Sequence, residues 1–378
     1  MAVVTLVAVA AAVLIGLRSL HQGPARSKTT ATPPATATAG KPTSFFVIQM
    51  FTDRTGWALT DKGLFRTVDG WKHWLTANPA GVALGGGDNA DFLSESTAWV
   101  ASIKADDPHH ITVLRTVDAG RTWQQTSITD LNSAGPAQLD FVDAVHGWLL
   151  VGYGSAASNE GVALYRTSDG GQHWVRIEQT LGLGHDAPGS LPFGCGKAGI
   201  SFVSLTTGWV SGNCAAGGAF LAVTHDGGFT WQSQTLPGTE GVVYQGPATT
   251  LPTFFSARDG YLVFFEGSSA STLYTTTDGG RTWQPRPLPR AIGGVTPTVF
   301  FQSMDNGWII SQDGGLVYQT TDGGREWMTF TPRPALKEVG SVDFLDSQRG
   351  FAEAISSGNQ SVLLRTVDGG RSWQQVAP

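Results

Sequence analysis

The chain has 378 residues, with 24 Lys and Arg against 30 Asp and Glu, for a net charge of −6. The four positive charges of the first 45 residues stand without an acid, so the rest carries 20 basic and 30 acidic residues, a balance that argues against a nucleic-acid partner. Charged residues make up only 14% while Gly reaches 49 and Trp 13, which excludes a disordered chain and favours short strands joined by tight turns.

Ala2 to Leu17 is a run of 16 uncharged, almost wholly apolar residues, longer than a typical secretory h-region and not followed by an A-x-A cleavage site. Residues 1–19 therefore read as a single-pass signal anchor, with the body outside the cytoplasm, rather than as a cleaved signal peptide, which would leave the body secreted. Arg18, Arg26 and Lys28 follow the apolar run, opposite to the positive-inside rule, and a basic n-region upstream of the present start would reconcile the two. Residues 20–43, built largely of Thr, Ala and Pro, read as a solvated, semi-extended linker.

From residue 44 to 378 the sequence repeats. A box of the form T-x-D-G-G-x-x-W recurs with its aspartate at Asp69, Asp118, Asp169, Asp226, Asp278, Asp322 and Asp368, and its tryptophan at Trp74, Trp123, Trp174, Trp231, Trp283, Trp327 and Trp373. The aspartates are 44 to 57 residues apart, a period that indicates a propeller or solenoid. A second motif, G-W or a variant, precedes each box at Trp57, Trp99, Trp148, Trp209, Tyr261, Trp308 and Phe351. In six copies a Phe lies seven residues before that aromatic. Only Trp71 has no place in either motif. With no 3.6-residue period in the body, each repeat reads as four strands: one ending at the Phe, one opening at the G-W, one ending at the box Thr and one opening at the box Trp. Seven such units close into an all-β, seven-bladed propeller, complete at both ends and sealed by packing of the last blade on the first.

The box is a turn device: Gly tolerates positive φ, the Asp carboxylate accepts backbone N–H bonds, and the Trp covers the hairpin. Seven carboxylates in equivalent turns read as structural, not catalytic. Trp71 replaces the second Gly of the first box and Ala119 the first Gly of the second, so the turn of blade 1 is expected to be distorted.

These boxes resemble the Asp-box, or bacterial neuraminidase repeat. Sialidases have six blades and an F/Y-R-I-P motif, of which Arg176-Ile177-Glu178 is only a fragment, and xyloglucanases use two facing propellers. With its single seven-bladed body, G-W strands and T-x-D-G-G-x-x-W boxes, the chain resembles the photosystem II stability and assembly factor family. That resemblance implies a non-enzymatic protein on the extracytoplasmic side, with a membrane or extracytoplasmic protein partner, no cofactor and a monomeric propeller. A carbohydrate-active enzyme or lectin-like domain is the alternative.

Arg66, Arg115, Arg166 and Arg365 stand three residues before the box Asp in blades 1, 2, 3 and 7, which are contiguous in a closed ring. They resemble the arginine patch of the assembly factors and are the candidate partner-binding residues; the alternative is that each pairs with an acid in its own or the next blade. His109-His110 beside Asp106-Asp107 read as a solvated loop, not a metal site. Cys195 and Cys214, the only cysteines, flank two strands of blade 4 and are expected to form a disulfide, with Val203 paired to Gly208 and Cys195 facing position 216. The loops that vary in length share the face opposite the boxes, where any small-ligand pocket is expected.

Overall fold

In blades 3 to 7 the Gly that opens the second strand admits the preceding Phe ring against its backbone, where a Cβ would collide; blade 1 has Met50 in place of the Phe and blade 2 has Ala98 in place of the Gly. At Gly147, Gly208, Gly307 and Gly350 the obstructing atoms belong to Phe141, Phe202, Phe301 and Phe344. In this computed structural model the described residues are 28–31, 42 and 44–376, except 104–106, 132–134, 157–158, 183–186, 215–218, 240–248, 266–270, 290–296, 312–314, 337 and 356–360. The expected anchor, residues 1–19, lies outside them, and no helix occurs among the described residues.

Seven antiparallel sheets follow one another in chain order. After a short strand, β1 (Lys28–Ala31), blade 1 consists of β2 (Phe45–Met50), β3 (Gly56–Thr60), β4 (Gly63–Thr67) and β5 (Leu75–Thr76). Blade 2 is β6 (Asn89–Phe92), β7 (Ala98–Ile103), β8 (Ile111–Thr116) and β9 (Thr122–Ile128). Blade 3 is β10 (Ala137–Phe141), β11 (Gly147–Ala156), β12 (Asn159–Thr167) and β13 (Val175–Thr180). Blade 4 is β14 (Cys195–Phe202), β15 (Gly208–Cys214), β16 (Ala219–Thr224) and β17 (Gln232–Ser233). Blade 5 is β18 (Thr253–Phe254), β19 (Gly260–Phe265), β20 (Ser271–Thr276) and β21 (Gln284–Pro287). Blade 6 is β22 (Thr298–Phe301), β23 (Gly307–Ile310), β24 (Val317–Thr320) and β25 (Met328–Phe330). Blade 7 is β26 (Ser341–Phe344), β27 (Gly350–Ile355), β28 (Ser361–Thr366) and β29 (Gln374–Gln375). The first strand of each blade lies innermost, since inter-blade contacts run between β6 and β10, β10 and β14, β22 and β26, and β26 and β2. The linker reading needs one amendment: β1 pairs antiparallel with β9 as a fifth, outermost strand of blade 2.

The core is distributed over seven clusters, each shared by two successive blades. At six seams the G-W aromatic of one blade lies against the Phe of the next. Trp99 on Phe141, Trp148 on Phe202 and Trp308 on Phe344 stack with centroids 3.7, 3.6 and 3.8 Å apart and planes within 7°. Trp57 on Phe92, Trp209 on Phe254 and Tyr261 on Phe301 are looser, at 5.6, 4.9 and 4.7 Å. Such pairs contribute about 0.5–1.5 kcal/mol each beyond their burial.

The closing seam differs. Blade 7 offers Phe351 where others have Trp, and blade 1 offers Met50 where others have Phe. Trp71 fills the missing volume: it is fully buried with Met50, Phe65, Trp74, Phe351 and Leu363, and its Nε1–H points to Met50 Sδ at 2.8 Å. In other blades the same box position is Gly, and a Cβ there would press on the preceding blade, on Leu164 at Gly228, Trp209 at Gly280 and Leu273 at Gly324. The turn of blade 1 is therefore not distorted. Trp71 keeps the left-handed φ of 67° and donates its N–H to Thr67 Oγ1 at 2.7 Å, as Gly171, Gly228 and Gly370 donate to their box threonines at 2.9 Å. Ala119 also keeps the turn, at φ 66°. A bulky left-handed residue costs roughly 1–2 kcal/mol, which seam burial offsets.

In blade 4 the sulfurs of Cys195 and Cys214 are bonded at 1.99 Å. The register differs from the sequence expectation: Phe202 pairs with Gly208, and a bulge between Lys197 and Gly199 shifts the ladder so that Cys195 faces Cys214 directly.

Two expected outcomes follow from this packing. Trp71→Gly should lower stability by about 3–5 kcal/mol, as a vacated aromatic site does. Phe351→Trp alone should also destabilise, but the Trp71→Gly/Phe351→Trp double variant should recover part of the loss, seen as a non-additive cycle in urea melts. Replacing both cysteines by Ser should cost about 3 kcal/mol for a bridge closing a loop of this length. Thiol labelling of the native chain should modify neither cysteine until reductant is added.

Candidate docking face and channel

The boxes and the turns between the first two strands of each blade lie on one face because both sit at the same end of an antiparallel sheet. They are tied together in all seven blades by a backbone bond from the box to its own turn. Gly70 donates to Arg54 O, Ala119 to Ser96 O, Gly170 to Val145 O and Gly227 to Thr206 O, at 2.8–2.9 Å. Gly279, Gly323 and Gly369 repeat this with Arg258, Asp305 and Gln348.

Within a box the Thr hydroxyl donates to the Asp carboxylate, which also takes the N–H four residues on and, in the boxes of Asp118, Asp226, Asp278 and Asp368, the hydroxyl of that residue. At Asp278 these bonds come from Thr276 Oγ1 (2.8 Å), Thr282 N (3.0 Å) and Thr282 Oγ1 (2.7 Å). Slight burial pushes this carboxyl up, but those bonds outweigh it and hold it at about 2. The other six box aspartates are likewise held below the usual carboxylate range. His73 and His173 bond the carboxylates of Asp69 and Asp169 and so belong to the turns.

The candidate arginines lie on this face, at the seams. Arg66, Arg115 and Arg166 sit over Trp57, Trp99 and Trp148 with their guanidinium carbons 5.5, 5.9 and 5.5 Å from the ring centroids. They donate across the seam to backbone carbonyls of the next blade, not to acids: Ala119 O at 3.1 Å, Ala144 O at 3.2 Å and Leu205 O at 3.3 Å, and Arg115 also donates to Gln124 Oε1 of its own blade at 3.3 Å. Burial lowers the pKa of Arg66 and Arg115. Arg365 is opposite Phe351 in the ladder, and its Nε is buried without a hydrogen-bond partner. All four remain half-buried, with one edge toward solvent.

Two residues that sequence reasoning passed over do the same work where the arginine is absent. Gln234, after β17, accepts from Trp209 Nε1 at 2.9 Å and donates to Gly280 O at 2.7 Å. Arg286 in β21 donates to Gly323 O. Both come from the outer strand side of the blade, so no signal at the box position could reveal them.

The same face exposes apolar side chains. Of nine large hydrophobics exposed among the described residues, six are in boxes or their turns: Val367, Val68, Val117, Val145, Leu205 and Phe229, each 39–59% exposed. They lie on blades 7, 1, 2, 3 and 4, a contiguous arc that contains all four arginines. A cavity of about 450 Å³ opens beside it between blades 4 and 5, walled by Val142, Ile200, Val203, Leu251 and Phe255. This cavity is on the box side of the inner strands; the variable-loop face, where a pocket was expected, lies partly outside the described residues.

Three aspartates of the inner strands each clasp the next blade. Asp91 accepts from Phe141 N at 2.6 Å, Asp140 from Phe202 N at 2.5 Å and Asp343 from Met50 N at 2.6 Å, the last sealing the ring. Burial pushes Asp91 and Asp343 up to about 6. Burial first, and then the neighbouring Asp91 charge, push Asp140 up to about 8. Asp106, in the histidine-rich loop, lies outside the described residues, while His109 meets Leu131 O and His110 meets Asp107. Among the described residues no three His, Cys, Asp or Glu side chains are grouped to hold a metal.

A folded pKa above the unfolded value means that the native state holds the proton more tightly. The stabilisation from protonated Asp140 is present below its unfolded pKa of 3.8 and is lost as pH rises through about 8. Asp140→Asn should flatten the fall of melting temperature across that window; an unchanged pH profile would show that Asp140 is not the group.

The model of the BNR/Asp-box repeat matches residues 274–285. The photosystem II stability/assembly factor of Arabidopsis thaliana chloroplasts is 26% identical over 281 residues, covering 70% of this chain; the match spans 62% of that relative's length. Among solved structures, YCF48 from Cyanidioschyzon merolae superposes with a TM-score of 0.53 at 17% identity, covering 91% of this chain and 98% of that one. The family 74 glycoside hydrolase xyloglucanase of Xanthomonas campestris gives 0.54 at 16% identity, covering 93% of this chain and 55% of that one, so fold is shared across quite different proteins. The chain is a seven-bladed Asp-box propeller that resembles the photosystem II stability and assembly factors.

Proposed function

We propose that this propeller is a non-enzymatic binding and assembly factor on the extracytoplasmic side, held at the membrane by its N-terminal apolar segment. It acts as a single propeller and docks a protein partner on the box face of blades 7, 1, 2, 3 and 4. The observation that carries the reading is the concentration of exposed apolar side chains on that arc, interleaved with half-buried arginines. Exposed apolar surface gathered on one face marks protein contact, and an Arg edge adds directional donors to a carboxylate or carbonyl. Similarity to the Arabidopsis assembly factor supports the same class. The cavity between blades 4 and 5 offers a seat for one apolar side chain of the docked partner.

A glycoside hydrolase needs two carboxyl groups free to act across a sugar bond. Among the described residues, the inner-strand aspartates Asp91, Asp140 and Asp343 are engaged in holding blade to blade.

The arginines serve the seams as well as the surface, so their loss is a poor test of docking alone. Arg166→Ala should lower stability by about 1–2 kcal/mol through the lost ring contact and inter-blade bond. The valines separate the two roles. Val68→Glu, Val117→Glu and Val367→Glu together should leave the melting temperature unchanged and abolish recovery of the cross-linked partner from native membranes. Full recovery with all three glutamates in place would remove the box face from consideration.

A further inference from the structure

The outer strand of each blade is a potential docking edge, because its outward N–H and C=O groups have no partner within the blade. Proteins blunt such edges by shortness, charge, proline or a cover. Here β5, β17, β25 and β29 are short, at two or three residues. β21 contains Pro285, Arg286 and Pro287, and β13 contains Arg176 and Glu178. β9 has none of these protections in its own sequence. It is the longest outer strand, with seven residues, and its sequence Thr-Trp-Gln-Gln-Thr-Ser-Ile carries no charge and no proline. It is also the edge that β1 covers, in the register Lys28 to Gln125, Thr29 to Gln124, Thr30 to Trp123 and Ala31 to Thr122.

We propose that the blade 2 rim is a strand-acceptor site whose occupant is residues 28–31 of the same chain, and that this strap fixes the propeller's attachment to its N-terminal segment. The pairing is through the backbone, so a Thr/Ala-rich stretch suffices. Its consequence is geometric. Lys28 is eleven steps along the chain from Leu17, a reach of at most about 40 Å, against about 90 Å for the 27 steps from Leu17 to Ser44. The strap thus halves the tether and attaches it at the rim instead of at the inner strand of blade 1. If the apolar segment lies in a membrane, which rests on the reading above, blade 2 is the part of the rim nearest the lipid and the box face is left open to the side.

Cysteine pairs in the full-length chain test the strap, with the native bridge mapped separately. Lys28→Cys/Gln125→Cys and Thr29→Cys/Gln124→Cys should form intramolecular cross-links. Thr29→Cys/Gln284→Cys, which reaches for the blade 5 rim, should not. Adding Thr29→Pro to the first pair should suppress its cross-link while the propeller's melting temperature holds. Equal cross-linking to both rims would show a free linker, and cross-links between chains would show a strand donated by a second copy; either overturns the proposal. In phosphatidylcholine–phosphatidylglycerol vesicles, a fluorophore at Ser127 should be quenched by headgroup-labelled lipid more than one at Gln284, and equal quenching overturns the orientation. A chain that fails to float with vesicles sinks the membrane reading instead, and the cross-linking result stands apart from it.

Discussion

The structure depends on one contact repeated around the ring: the aromatic that opens the second strand of a blade lies against the ring that ends the first strand of the next. Blades of four short strands bury little alone, so the energy of the fold resides between them. The contact also explains the glycine that opens the second strand in blades 3 to 7: at Gly147, Gly208, Gly260, Gly307 and Gly350 a Cβ would collide with the blade's own Phe, which lies close enough to meet the aromatic of the preceding blade. Blade 2 has Ala98 there, and its Phe92 meets Trp57 at the looser 5.6 Å. In three seams the rings are nearly parallel and under 4 Å apart, so small changes of volume at either partner must be answered locally.

The closing seam shows how that answer is made. A ring built from one chain must join its last repeat to its first, and here both partners of the standard pair are changed. Trp71 restores the volume from a third position, at the cost of a left-handed backbone that other blades assign to glycine. The same logic governs the boxes with and without arginine. Where Arg66, Arg115 and Arg166 reach over a tryptophan to the next blade's carbonyls, they are struts of the seam. Gln234 and Arg286 supply comparable bonds from the outer side. At these five seams a polar side chain bonds the next blade's backbone even though the position that supplies it moves.

This double use bears on the proposed function. A surface proposed to dock a partner that also braces the ring would couple binding to the seams, because a group engaged by the partner would be one that already orders two blades. The inner-strand aspartates extend the bracing to the centre. Their raised pKa values arise from enclosure by neighbouring strands, and each carboxyl takes an N–H that would otherwise lack a partner in the adjoining blade. Perturbed carboxyls often mark active sites, but here the geometry assigns them to the scaffold.

Period and turn chemistry were legible in the sequence. Seven boxes near 50 residues apart set the blade number, and the strand limits fall at the Phe, the G-W and the box Thr because these residues encode a local event: a ring against glycine, or a turn that needs positive φ. The cysteine partnership was also legible, since two thiols on adjacent strands have few alternatives. What tertiary structure decided were the contacts between repeats, which lie some 50 residues apart and leave no local trace. The bulge that brings Cys195 opposite Cys214 follows from ladder geometry in blade 4. The roles of Trp71, Gln234 and Arg286 follow from what the neighbouring blade lacks. The strand at 28–31 has the composition of a linker and pairs only because an uncharged seven-residue edge of blade 2 is there to receive it.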